Sequence, residues 1–335
     1  MLGPMEALSY LIGLGAGVAI LVKSADWFTD AAVDMARRFR IPEIVIGATL
    51  VSLATTLPEF AVSFMATLQG QPDMAIGNAL GSTICNIGLI LGVCALVAPM
   101  QVRREGFLSN GIALVTFAGV FGVMGYAFPD GSRVVGIVML ACLGAHLAGT
   151  LRASLQGRSK ADEERAVEAA VATVHRMALL FIVGAAGIIL GSKVMVYCGE
   201  HLARLMGVSE LVIALTLVAL GTSTPELAVS VAGVLKKRRS LAIGNIIGAN
   251  ILDLAWVIGV CSIIRPLPMR ETILWGRSVH QSLVFDIPVM LLLSALLLVF
   301  GFTDERLTRR EGAVLFAVYA AYITTLFVLF SPAGG

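Results

Sequence analysis

Three carboxylic acids in this chain have nothing beside them to neutralise their charge. Glu59, Glu226 and Asp253 each lie within long apolar stretches, and no basic residue stands three or four positions from any of them. An acid at the centre of a membrane-spanning helix costs about 2.5–3.5 kcal/mol on insertion scales, so three cost roughly 10 kcal/mol. Bound cations are the natural compensation. Pro58 and Pro225 sit one residue before the two glutamates. A proline inside a helix has no N–H to donate and clashes with the carbonyl four residues back, here Ala54 and Gly221. The freed carbonyls around Thr55 and Thr222 need a partner in lipid. With the hydroxyls of Thr55, Thr56, Thr222 and Ser223 they make an all-oxygen donor set. Such a set suits Ca2+ or Na+ and does not suit zinc or copper.

These residues belong to an internal repeat. Residues 47–94 recur as residues 214–261 at a constant offset of 167, and 22 of the 51 positions from Ile44 to Cys94 are identical in the second copy. Thr55 falls on Thr222, Pro58 on Pro225, Glu59 on Glu226, Ser63 on Ser230, and Gly77-Asn78 on Gly244-Asn245. Asn86 falls on Asp253, so the two copies differ in charge at that place. Gly77, Gly81, Gly88 and Gly92 in the first copy, with Gly244, Gly248 and Gly259 in the second, provide small surfaces for close helix approach. A repeat of this kind places one site between two related halves.

The elements that must carry this site are membrane spans. The 335 residues are 58% hydrophobic and 14% charged, with a mean hydropathy of +0.90. A soluble domain has about 25% charged residues. The apolar runs are long and do not alternate, which favours helices over a barrel. The expected class is an all-α membrane protein with ten spans, near 7–28, 43–68, 74–98, 108–128, 133–152, 177–203, 210–235, 241–264, 284–302 and 311–331. Spans 1 and 6 continue into amphipathic sequence (Trp27–Phe39 and Met195–Met206) and are expected to run longer. The organisation reads as a first five-helix repeat over 1–152, a polar cytoplasmic linker over 153–176 and a second five-helix repeat over 177–335. The linker can form a short surface helix.

Seventeen lysines and arginines fall in loops after odd-numbered spans and five in loops after even-numbered ones. The basic side is cytoplasmic. Both termini are therefore expected outside, in the cell's inner (plasma) membrane, and five spans per half make the halves antiparallel. Net charge is only +2, which gives no reason to expect a nucleic-acid partner. The five cysteines lie in apolar runs without metal-ligand spacing and read as small core residues. Lys23 and Asp26 are one turn apart and are expected to pair or to reach the interface. Ser63 and Ser230 read as backbone-bonded small residues. No nucleophile–base pair or cofactor loop appears, so neither an enzyme nor an organic cofactor is expected; a channel or calcium sensor is the rival of another class.

At TTLPE and GTSTPE, followed by GNALGSTICN and GNIIGANILD, the sequence resembles the sodium/calcium exchanger family of the calcium/cation antiporter superfamily, prokaryotic type. The resemblance covers both repeats and the ten-span pattern. It implies Na+/Ca2+ antiport by alternating access, with discontinuous spans 2 and 7. It implies a central Ca2+ site of Glu59, Glu226 and the carbonyls of Thr55 and Thr222. Sodium sites would share the glutamates and add Asn86, Asp253, Ser82, Thr56, Ser223 and the carbonyls of Ser52 and Ala219. Three Na+ against one Ca2+ would move net charge. Ala249 departs from the family, which has a serine there; its partner Ser82 is kept. Proton coupling or potassium co-transport stays open at this stage.

Overall fold

The computed structural model describes residues 4–39, 41–102, 104–156, 171–205, 219–269, 271–274, 277–303, 305–326 and 328. Twelve helices follow one another among them. They are α1 (Pro4–Phe39), α2 (Glu43–Thr55), α3 (Leu57–Leu68), α4 (Pro72–Val97), α5 (Arg104–Ala127) and α6 (Arg133–Gln156). Then come α7 (Val171–Leu205), α8 (Ala219–Thr222), α9 (Thr224–Leu235), α10 (Arg239–Ile264), α11 (Ser282–Thr303) and α12 (Arg309–Thr325). Seven are long and apolar enough to cross a membrane, and α2 with α3 makes an eighth span bent by 47°.

The bend has a local cause. Pro58 occupies the first turn of α3, where a missing N–H is no loss, and Thr56 before it has ψ −3°. The second copy repeats this arrangement: Ser223 has ψ 6°, and Pro225 opens α9. Most of the expected span 210–235 upstream of that break lies outside the described residues.

α4 and α10 run through the centre. Every residue from Leu241 to Leu252 is buried, as a helix surrounded by other helices requires. Each contains a π-helical segment, starting at Asn86 and at Asp253, again at equivalent positions. Such segments are rare and concentrate at functional sites. α10 crosses α2 with backbone against backbone. A Cβ at Gly244 would meet the Ile44 carbonyl, and one at Gly248 would stand 2.5 Å from Ala48 Cα. Gly88 and Gly92 admit Tyr319 and the Gly312 carbonyl of α12, and Gly259 admits Leu140 of α6. For the equivalent glycines Gly77 and Gly81, the partners that the offset of 167 implies, Leu211 and Leu215, lie outside the described residues.

α1 and α7 lie along one another and are longer than their apolar runs, as the amphipathic continuations lead one to expect. At 1.5 Å per residue α1 is about 54 Å long, well beyond the roughly 30 Å of hydrocarbon. Gly17 receives the backbone of Met195, and Gly184 receives Phe28. The two contacts are one contact repeated at the offset of 167.

Connections gather at two ends. At one, Arg238 pairs with Glu43 at 3.3 Å, and the short strands β1 (Met100–Gln101) and β4 (Arg306–Leu307) pair antiparallel. At the other, the Arg265 side chain crowds Gly70, Met269 N–H donates to the Pro129 carbonyl at 2.9 Å, and β2 (Glu271–Leu274) pairs with β3 (Arg277–His280). These ribbons are loop features outside the apolar runs and leave the helical class unchanged. α6 and α7 each extend into the stretch expected as linker; the surface helix expected there falls on residues outside the description. Lys23 and Asp26 do not pair. Lys23 sits 5.5 Å over the Trp27 ring, while Asp26 and Asp30 hold Lys236 at 3.3 and 2.9 Å, tying α1 to the end of α9.

The glycine contacts give an expectation for one substitution. Gly244→Ala should cost about 1–3 kcal/mol by overpacking against α2, read as a lower melting temperature of the purified protein.

Candidate functional site

The two helix breaks meet α4 and α10 in the interior. Thr55, Thr56, Glu59, Ser82, Asn86, Ser223, Glu226 and Asp253 are all buried there, each no more than 3% exposed. Glu59 lies within electrostatic reach of both Glu226 and Asp253. Of the six carboxylate oxygens, five have no hydrogen-bond partner among the described residues: Glu59 Oε2, both of Glu226 and both of Asp253. The sixth, Glu59 Oε1, accepts from the Ser223 hydroxyl at 3.3 Å. The Ser223 hydroxyl also lies 3.2 Å from that of Ser82.

What orients these groups is a pair of hydrogen-bonded relays. Thr55 of the first copy donates to Asn245 Oδ1 of the second at 3.2 Å, and Asn245 Nδ2 donates to Ser230 at 3.4 Å. Thr222 of the second copy donates to Asn78 Oδ1 of the first at 3.3 Å, and Asn78 Nδ2 donates to Ser63 at 2.9 Å. Shifting the first relay by 167 produces the second. Asn78 Nδ2 also reaches the Glu59 carbonyl at 3.1 Å, anchoring the turn that carries that acid. Each relay crosses between the copies, so each fixes one broken helix against the other copy's central helix.

The symmetry fails at one point. Ser223 has Ser82 beside it, but the position equivalent to Ser82 is Ala249. The Thr56 hydroxyl, equivalent to that of Ser223, faces Glu226 with Thr55 but makes no close hydrogen bond among the described residues. With alanine at that place, Thr56 lacks the serine neighbour that Ser223 has.

Of the other expected site residues, the Ser52 carbonyl accepts from Thr55 Oγ1 at 3.2 Å and from the Thr56 N–H at 2.9 Å, so it is engaged within its own helix. Ala219 opens α8, and the Thr222 side chain faces Asn78. Asn86 Nδ2 donates to Asn250 Oδ1 at 2.9 Å, while Asn86 Oδ1 is buried and unpartnered. Sequence reasoning missed Asn78, Asn245 and Asn250; it took Ser63 and Ser230 for backbone-bonded residues, and Ser63 does donate to the Ala75 carbonyl at 3.2 Å while also accepting from Asn78. Two of these were within reach: amides at the same offset in both apolar repeats need partners as much as the acids do.

A cavity of about 830 Å³ between α3 and α7 leads to the break residues Pro58, Gly221 and Thr222. Gln69, Lys193 and Tyr197 also line it. Phe60 stacks flat on Trp256, ring centroids 4.2 Å apart, and joins α3 to the π segment of α10.

The family model for sodium/calcium exchanger proteins matches this chain twice, over residues 9–151 and 176–328. This chain belongs to the sodium/calcium exchanger family. The sodium/calcium exchanger MaX1 of Methanosarcina acetivorans is 31% identical over 360 residues, covering 97% of this chain and all of that protein. The inner membrane protein YrbG of Escherichia coli is 39% identical over 258 residues, 75% of this chain and 78% of its own length. A structure of the sodium-calcium exchanger NCX_Mj superposes with a TM-score of 0.80 at 31% identity, covering 96% of this chain and 99% of that one. The exchanger fold is thus shared along nearly the whole length.

The relays predict that Asn245→Leu, which strands the buried Ser230 hydroxyl and removes a partner of Thr55, lowers stability by about 1–3 kcal/mol. Asn78→Leu should do the same by symmetry. Thermal melts of the two purified variants, beside the native protein, check both.

Proposed function

We propose that this exchanger moves Na+ and Ca2+ in opposite directions through one site, holding them with Glu59, Glu226, Asp253 and the oxygens around them. The observation that carries this reading is the set of five carboxylate oxygens buried, among the described residues, without a close donor and without a base. Carboxylates left so far from water are costly unless a cation joins them. The surrounding donors are carboxylate, hydroxyl and amide oxygens, the hard set that Na+ and Ca2+ take. Glu59 and Glu226 with the carbonyls of Thr55 and Thr222 serve Ca2+. The same glutamates with Asn86, Asp253, Ser82, Thr56, Ser223, and the carbonyls of Ser52 and Ala219, serve Na+.

Shared ligands make the exchange obligatory. Ca2+ offsets the charge of the two glutamates and Na+ at its sites offsets that of the acids it meets, so an occupied site passes more readily through the low-dielectric stage between the two open states. An empty site keeps its charge and is held back. The long pair α1 and α7, joined to each other through glycine contacts, is suited to slide along the core as one body.

In this reading the chain forms ten spans, as two five-helix halves (1–152 and 177–335) of opposite orientation around the site, with both termini outside. The grouping of basic residues supports it. Arg37, Arg38, the run Lys236–Arg239, and Arg306, Arg309 and Arg310 fall in connections on one side. The ion-pair clasp of Lys236 with Asp26 and Asp30 then closes the cytoplasmic face, and the cavity between α3 and α7 opens the site outward.

Reconstituted vesicles test the reading. Glu59→Gln and Glu226→Gln should each abolish sodium-driven calcium uptake, by at least about a hundredfold, while the protein stays monodisperse. Near-native exchange by either variant would overturn the site, and calcium uptake driven by a pH gradient without sodium would overturn the coupling. Ala249→Ser gives Thr56 its missing neighbour and should lower the sodium concentration for half-maximal exchange several-fold; an unchanged sodium curve would show that position to be idle.

A further inference from the structure

An asparagine side chain is two different ligands, depending on which way it points. Its oxygen attracts a cation and its NH2 group repels one. Asn86 sits at the start of a π-helical segment, buried beside the acids, and must present the right end. A chain of hydrogen bonds decides this from a fixed starting point. The Thr83 carbonyl can only accept, so Asn250 must turn Nδ2 toward it, at 3.3 Å. That leaves Asn250 Oδ1 facing Asn86. Asn86 must in turn direct Nδ2 at Asn250, at 2.9 Å, and its own Oδ1 is left over, buried and without a partner among the described residues.

The repeat explains why only one asparagine does this. Asn250 and Thr83 are equivalent at the offset of 167, as are Asp253 and Asn86. Asp253 has oxygen at both ends and needs no orienting. The position that would orient it, Thr83, donates its hydroxyl to the Ala79 carbonyl at 2.9 Å and plays no such part. The orienting amide is present only where the residue to be oriented is itself an amide, and it comes from the opposite copy.

We propose that Asn250 is a positioning residue, fixing the Asn86 amide so that its oxygen faces the transported cation. The inference rests on the reading that Asn86 faces bound sodium. Sodium binding is read from the sodium-dependent rise in melting temperature of the purified protein, so a variant that binds but no longer cycles stays informative. Asn250→Leu should raise the half-saturating sodium concentration about five- to tenfold, the equivalent of one hydrogen bond. In an Asn86→Asp background both ends of residue 86 are oxygen. There Asn250→Leu should change half-saturation less than about twofold, or improve it by removing an oxygen that faces the new carboxylate. If Asn250→Leu is not monodisperse, Asn250→Ser carries the same expectation, since its hydroxyl can serve Thr83 but is too short to reach Asn86.

Equal losses in the two backgrounds would overturn the proposal, as would native sodium binding in the single variant. Asn86→Ala separates the two levels of the argument. Native sodium binding in that variant would overturn the placement of Asn86 at the cation. Weakened binding there, with Asn250→Leu unaffected, would overturn the positioning role alone.

Discussion

Negative charge without an internal counter-charge is the constraint from which this structure follows. Glu59, Glu226 and Asp253 are buried together, and among the described residues only Ser223 makes a close hydrogen bond to their six oxygens, with the Thr55 and Thr56 hydroxyls facing Glu226. A protein selected for stability alone would pair such groups or replace them. Here the hydroxyls and amides nearest the acids are held by one another instead. Thr55 and Thr222 donate to asparagines of the opposite copy, and those asparagines donate to serines. The network fixes the geometry of the acids while leaving their charge unquenched, and that is the condition for a cation to be needed and also released.

The backbone serves the same end. A helix that runs unbroken through the bilayer presents side chains only, because its carbonyls are internally bonded. The breaks at Thr56 and Ser223 open two helices mid-course, and the π segments at Asn86 and Asp253 re-aim the two central ones. Four irregularities, in two equivalent pairs, thus converge around the acids. Elsewhere the helices pack through glycine in the ordinary way, as where Gly17 receives Met195 and Gly184 receives Phe28.

Much of this was legible in the residues. The acids without bases, the prolines one position before the glutamates and the offset of 167 pointed to the breaks and to the buried acid cluster. The apolar runs placed the helices, with ends off by a few residues because caps and amphipathic extensions lie outside the apolar period. What could not be read was pairing across copies. Asp26 has Lys23 one turn away and nevertheless binds Lys236, which lies 210 positions further along. The direction of the Asn86 amide follows from a carbonyl three residues earlier, by way of a side chain in the other half.

The crossed relays also bear on how a duplicated sequence ages. After duplication each copy is free to drift, and most of this chain has done so: 29 of the 51 compared positions now differ. Thr55, Ser63 and Asn78, with Thr222, Ser230 and Asn245, have not. Each copy holds the other's threonine, so a change in one would leave a polar group stranded in the sister copy as well as its own. Mutual dependence of this kind preserves a matched pair of motifs long after the surrounding likeness has worn away.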